Sequence, residues 1–160
     1  MNCVKTVSYR VKVNRSLTDA FAPERGLRQG DPLSPYLFIL CAEGLSALLN
    51  HAEEEGTLEG VRLCPAAPKI NHLFFADDSL IVMKANMKNA ENLREILALY
   101  ELQSGQMINP EKSSAMFSKR TSNRNKRAVL SVLGILHESH NDRYLGLPVH
   151  LGASKRKELT

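Results

Sequence analysis

Two short apolar runs, Leu73-Phe74-Phe75 and Leu80-Ile81-Val82-Met83, are split by Ala76-Asp77-Asp78-Ser79. This pattern predicts a hairpin with an acidic tip and with both arms buried. Unpaired charge between apolar strands is costly to bury without a cation or water, so these carboxylates limit what can surround them. An isolated Asp-Asp pair is well explained by turn chemistry, because Asp is favoured at turns and a solvated tip costs little. The same pair on a rigid tip also suits Mg²⁺, a hard cation that takes carboxylate oxygens together with substrate phosphates.

The elements around the hairpin follow from periodicity. Thr6 to Val13 alternates, with Val7, Tyr9, Val11 and Val13 on one face, as in a half-buried strand, and a returning strand is expected near Ala20 to Ala22. Ser34-Pro35 reads as an N-cap and first helical residue, followed at helical spacing by Leu37, Leu40, Cys41, Gly44, Leu45, Leu48 and Leu49. That helix should end at Glu53-Glu54-Glu55-Gly56, and Val61 to Pro68 should be a connecting segment limited by its prolines. Asn89 is expected to cap a second helix carrying Leu93, Ile96, Leu97 and Tyr100, stopped by Gly105. A third helix covers Arg124 to Leu133, and Tyr144 to Val149 suggests a last strand or hairpin. The order predicts an α+β fold with helices packed on one face of an antiparallel sheet.

Composition excludes few classes of function. With 160 residues, a net charge of +4 and 43% hydrophobic residues, the chain has the size and balance of about one globular domain, and collagen-like, mucin-like and fully disordered classes are ruled out. The basic excess leans only weakly towards a polyanionic partner. Cys3, Cys41 and Cys64 are odd in number and widely spaced, which indicates neither a disulfide framework nor a zinc ribbon. No apolar run has the length of a signal peptide core or a membrane span, so an intracellular protein, nuclear or cytoplasmic, is expected. His137 and His140 have metal-like spacing but no companion ligands, and read as solvated loop histidines.

Four ordered blocks carry a resemblance. Arg25-Gly26-Leu27-Arg28-Gln29-Gly30-Asp31-Pro32-Leu33-Ser34-Pro35-Tyr36-Leu37-Phe38, then Phe75-Ala76-Asp77-Asp78, closely resemble the reverse transcriptases of non-LTR retrotransposons, especially the plant lineage. Ser104-Gly105-Gln106-Met107-Ile108-Asn109-Pro110-Glu111-Lys112-Ser113 is similar to the segment after the catalytic hairpin, and Tyr144-Leu145-Gly146-Leu147-Pro148 to the hairpin that supports the primer.

The resemblance implies a partial right-hand polymerase palm over residues 1–118 and a palm-to-thumb connection over 119–160. It implies an RNA-directed DNA polymerase acting on an RNA template, a DNA primer and a deoxynucleoside triphosphate, with two Mg²⁺ ions. By this likeness Asp77 and Asp78 are metal ligands, Gln29 and Gly30 lie beside the nucleotide and template, and Phe75 and Ala76 lie under the primer end and nucleotide. Phe75 stands where the family more often has Tyr. Lys112 resembles a lysine that protonates or neutralises departing pyrophosphate, and Tyr144, Leu145 and Gly146 support the primer. Such enzymes use three carboxylates, and no Asp precedes the strand at Val7 to Val13. Asp19 and Glu24 fall in the loop after that strand and do not fill the vacancy. The chain alone is therefore expected to be inactive. The alternative, of another class, is a non-catalytic remnant binding nucleic acid weakly through Lys119, Arg120, Arg124, Lys126 and Arg127; those residues are equally a solvated helix face.

Overall fold

The computed structural model describes residues 7–23, 26–28, 30–62, 64–139, 143–144 and 147–148. Its elements run in the order β1 (Lys12–Val13), β2 (Ser16–Leu17), α1 (Ser34–Glu54), β3 (Val61–Arg62), β4 (Lys69–Ile70), β5 (His72–Phe75), β6 (Asp78–Ile81), α2 (Met87–Ser104), β7 (Ser114–Ala115), α3 (Asn123–Leu133), β8 (His137–Glu138), β9 (Arg143–Tyr144) and β10 (Leu147–Pro148). The composition is mixed α+β, as the periodicities indicate. A single antiparallel sheet is not found among the described residues. Among the described residues the strands form five two-stranded ladders, four antiparallel and one, β7 with β8, parallel. Helix α3 is the crossover that a parallel pair requires.

The core lies between two helices and the β5–β6 hairpin. Leu45, Leu49 and Ala52 of α1 and Leu93 and Tyr100 of α2 are buried together with Leu58, and Phe74, Ile81, Ile96 and Leu97 pack against them. Spacings of three and four residues place these side chains on one stripe of each helix. Leu40, expected on that stripe, is instead 67% exposed. Among the described residues, no helix is long and apolar enough to cross a membrane.

Several boundaries move for local reasons. Leu33 already has helical dihedrals, so Ser34 is inside α1 and is not its cap. The Leu33 N–H donates to Asp31 Oδ1 at 2.8 Å, and the Ser34 hydroxyl donates to the Arg28 carbonyl at 2.7 Å. Helix α2 begins earlier than expected: extended Asn86 is its cap, accepting from the Asn89 N–H at 2.8 Å, while buried Asn89 donates its amide to the Lys84 carbonyl at 2.9 Å. Gly105 closes α2 in the left-handed region and Gly134 does the same for α3. Residues 61–62 and 69–70 pair as β3 and β4, leaving Pro65 and Pro68 in the connecting loop, where a missing N–H costs no ladder bond.

The N-terminal alternation also resolves differently. Asn14 and Arg15, both at positive φ, reverse the chain at once, so Lys12 pairs with Leu17 and Val13 with Ser16. Tyr9 bridges Phe21, the expected return, one residue out of that register. The strand is not half-buried: Val11 and Val13 are 48% and 53% exposed.

Polar atoms join the hairpin to α1. Asn71, 4% exposed, precedes β5, and its carbonyl accepts from the Val82 N–H at 2.8 Å. Its Nδ2 lies 2.7 Å from Glu53 Oε2, 3.2 Å from Asn50 Oδ1 and 3.4 Å from the Leu49 carbonyl. Its Oδ1 meets His72 Nδ1, while Ser46 Oγ lies 2.8 Å from Nε2. Burial lowers the His72 pKa from its ordinary value, against the opposing charges of Glu43 and Glu53.

Three outcomes for stability are expected. Leu49→Ala, at a fully buried position, should cost about 2–5 kcal/mol in denaturant unfolding. Leu102→Ala, at an 84% exposed position, should stay within about 0.5 kcal/mol of the parent. Because the folded state binds the His72 proton less tightly than the unfolded chain, this residue's contribution is constant above its ordinary pKa of about 6.5 and turns destabilising as pH falls below it. His72→Gln should flatten that part of the profile of unfolding free energy against pH.

Candidate active site

The two carboxylates come together at the tip of the β5–β6 hairpin. Register runs from His72 opposite Ile81 to Phe75 opposite Asp78, so Ala76 and Asp77 form a two-residue turn and Asp78 is the first residue of β6. Both aspartates are exposed, and neither makes an ion pair among the described residues. Ala76 sits at φ 49°, a left-handed conformation that costs a residue with a Cβ about 1 kcal/mol or more.

Only one face of the hairpin is buried, which corrects the expectation for both arms. Directly opposed residues project to the same side, so His72, Phe74, Ser79 and Ile81 turn towards the core while Leu73, Phe75, Asp78 and Leu80 occupy the other face. Leu73 and Phe75 are accordingly 45% and 58% exposed. Asp78 thus shares an open surface with two large apolar side chains.

The other anticipated residues lie on separate loops. Gly30, exposed, takes φ 82° in the turn before α1, a conformation that suits glycine; Gln29 lies outside the described residues. A cavity of about 140 Å³ opens beside that turn, where Arg28, Asp31 and Ser34 meet Val7, Tyr9 and Leu37. Lys112 is exposed in a turn tied together by Asn109, whose side chain accepts from the Glu111 N–H at 3.0 Å and the Lys112 N–H at 3.3 Å. No hydrogen bond or ion pair among the described residues links Gly30 or Lys112 to the acidic tip. Tyr144 pairs with Leu147 across the β9–β10 ladder, and Leu145 and Gly146 between them lie outside the described residues.

Of the basic stretch, Lys119, Arg120, Arg124 and Arg127 are exposed. Lys126 is half-buried, ion-paired with Glu138 on β8 and placed 5.6 Å from the Phe117 ring. Among the described residues no three His, Cys, Asp or Glu side chains gather closely enough to hold a metal. The residues that anchor the tip, Asn71 and His72, were not anticipated. The signal available was two polar residues, Asn71-His72, standing between Ile70 and the apolar run at a place where a strand was expected to be buried.

The family model described as reverse transcriptase (RNA-dependent DNA polymerase) matches residues 2–149. An uncharacterized mitochondrial protein of Arabidopsis thaliana is 57% identical over 67 residues, which is 42% of this chain and 55% of that one. The retrovirus-related Pol polyprotein from the type-1 retrotransposable element R2 of Popillia japonica is 29% identical over 124 residues, covering 78% of this chain and 19% of its own. An uncharacterized 149 kDa protein of transposon TX1 from Xenopus laevis is 34% identical over 106 residues, 66% of this chain and 8% of its own. The chain thus spans about half the length of the first of these relatives and a fifth or less of the other two. No solved structure matches. With nearly the whole chain under one family model, the protein belongs to the reverse transcriptase family.

Proposed function

We propose that this chain is the palm portion of an RNA-directed DNA polymerase, with Asp77 and Asp78 as two of its metal-holding carboxylates. The observation that carries the proposal is the solvated Asp pair at the end of a two-stranded hairpin, closed by a left-handed Ala76 and seated on α1. Adjacent exposed carboxylates with no ion pair among the described residues are a donor set that fits Mg²⁺, which is held by one or two protein carboxylates and completes its shell with water and phosphate oxygens. When bound, the ions supply positive charge to the attacking and leaving oxygens of phosphoryl transfer.

The chain's own residues take the remaining tasks. Leu73 and Phe75 offer an apolar shelf beside Asp78, suited to a sugar or base at the primer end. Gly30 lets backbone come close to the nucleotide and template, and Gln29 supplies both a donor and an acceptor there. Lys112, with no ion pair among the described residues, neutralises or protonates the departing pyrophosphate. Tyr144, Leu145 and Gly146, in the 119–160 connection, support the primer strand. Lys119, Arg120, Arg124 and Arg127 hold phosphates without reading sequence, whereas Lys126 is committed to Glu138.

By the likeness such chemistry uses three carboxylates, and no Asp precedes the Val7 to Val13 stretch, so a second reading applies to residues 1–160 taken by themselves: a nucleic-acid-binding remnant without catalysis. Two experiments separate the roles. Residues 1–160 alone should give no template-dependent primer extension with Mg²⁺. Joined in frame to segments supplying the third Asp and a thumb, they should extend a primer, and Asp77→Asn should lower that rate by about a thousandfold or more while leaving thermal stability unchanged. Retained extension in the Asp77→Asn protein removes Asp77 from the site. Affinity of residues 1–160 for an RNA–DNA hybrid should be independent of sequence and fall about a hundredfold between about 50 and 200 mM salt if four cations contact phosphates. Tight, salt-independent binding to one sequence would contradict the phosphate-contact account.

A further inference from the structure

The hairpin that carries the acidic tip has no third strand beside it among the described residues, and a two-stranded hairpin holds its own orientation poorly. Its apolar contacts through Phe74 and Ile81 draw it to the core but are non-directional. Direction comes from hydrogen bonds, which weaken steeply when misaligned. Those bonds belong to Asn71, His72 and Ser46.

The partners fix the protons. Glu53 Oε2, Asn50 Oδ1 and the Leu49 carbonyl are all acceptors, so the Asn71 atom facing them is the NH₂ nitrogen, and the oxygen faces His72. An amide oxygen carries no hydrogen, so His72 Nδ1 donates to it. In the neutral ring Nε2 is then the acceptor, and the Ser46 hydroxyl donates to it at 2.8 Å. The neutral ring protonated at Nδ1 therefore satisfies the whole chain of contacts from α1 to the first residue of β5.

We propose that Asn71 and His72 are positioning residues which, with Ser46, set the angle at which the hairpin stands on α1 and hence where Asp77 and Asp78 lie. The proposal rests on the polymerase reading of that tip. Protonation of His72 reverses the Ser46 bond, leaves the serine proton without its acceptor and puts a cation into a half-buried seam. The charged groups that act on the ring are Glu43 and Glu53, both on α1; its partner across the ladder, Ile81 of β6, carries none. Glu53 is already bonded to Asn71, so a cation at His72 competes for the carboxylate that anchors the hairpin. The tip should therefore respond to His72 from the far end of the strand.

The test uses isotope-labelled residues 1–160 and two readouts, backbone amide shifts of residues 76–79 and their broadening by Mn²⁺ as the probe cation. Between about pH 7.5 and pH 5, above the ordinary range of Asp, the tip amides should move with a common midpoint below that of a free imidazole, and Mn²⁺ affinity should weaken about fivefold. His72→Gln should abolish both responses. Ser46→Ala, the milder change, should shift the tip amides at neutral pH and weaken Mn²⁺ binding while lowering the thermal midpoint by only a few degrees. Asp77→Asn should remove the broadening at every pH. If Asp77→Asn leaves the broadening intact, the metal-holding reading of the tip is wrong, and the pH response of the amides still decides the positioning role. If Asp77→Asn removes it while His72→Gln and Ser46→Ala behave like the parent, the positioning role is wrong and the polymerase reading stands.

Discussion

The fold around the acidic tip depends on one buried amide. Asn71 is among the few polar residues fully withdrawn from solvent, and burial of such a group is tolerated only when its donors and acceptors are met. Here the side chain spends its NH₂ group on the last turns of α1 and its oxygen on His72, while its backbone carbonyl accepts from Val82, just after β6. Removing it would leave acceptors on α1 facing an empty volume and free the strand that leads to Asp77. Glu53 is the other half of the contact. Its Oε2 is the nearest of the Asn71 acceptors, and its Oε1 is buried with no hydrogen-bond partner among the described residues. The carboxylate is accommodated because Gly60 has no side chain: a Cβ there would lie 2.6 Å from Oε1 and 2.9 Å from the Ile70 carbonyl.

Apolar and polar contacts divide the work. Leu45, Leu49, Leu58 and Leu93 supply the attraction that holds α1 and α2 together, and Phe74 and Ile81 bring the hairpin to that core. The Asn71–His72–Ser46 seam then selects one orientation among those the apolar contacts would permit. The tip itself is built on a strained residue, since Ala76 holds a left-handed conformation that glycine would adopt without cost. Strain of this kind persists where the surrounding ladder dictates the turn, and at this turn both aspartates are exposed.

Much of this is legible in the sequence alone. The acidic hairpin, the apolar stripes of α1 and α2, and the glycines that stop α2 and α3 all follow from local rules of period, turn and cap, which act over a few residues. The rules misplace what depends on a neighbour. Ser34 looks like a cap because Pro35 follows it, yet the Asp31 carboxylate takes the Leu33 N–H first and shifts the helix start. Asn89 looks like a cap because the apolar spacing begins after it, yet Asn86 lies three residues earlier and has the extended backbone a cap requires. The alternation from Thr6 to Val13 signals a buried face, but Tyr9, Val11, Val13, Leu17 and Phe21 find no second layer among the described residues.

The sequence by itself determined the family, through blocks whose residue types and order survive without reference to contacts, and it determined that two carboxylates sit at a turn. Tertiary structure alone decided which face of the hairpin is open, because that choice depends on α1 lying against Phe74 and Ile81 and leaving Phe75 and Asp78 free. It alone decided that Asn71 and His72 are buried polar anchors, since nothing in their spacing shows that Ser46 and Glu53, 26 and 18 residues away, meet them in space. Period and turn chemistry are properties of adjacent residues; a hydrogen bond between a helix and a later strand is fixed only when both have packed.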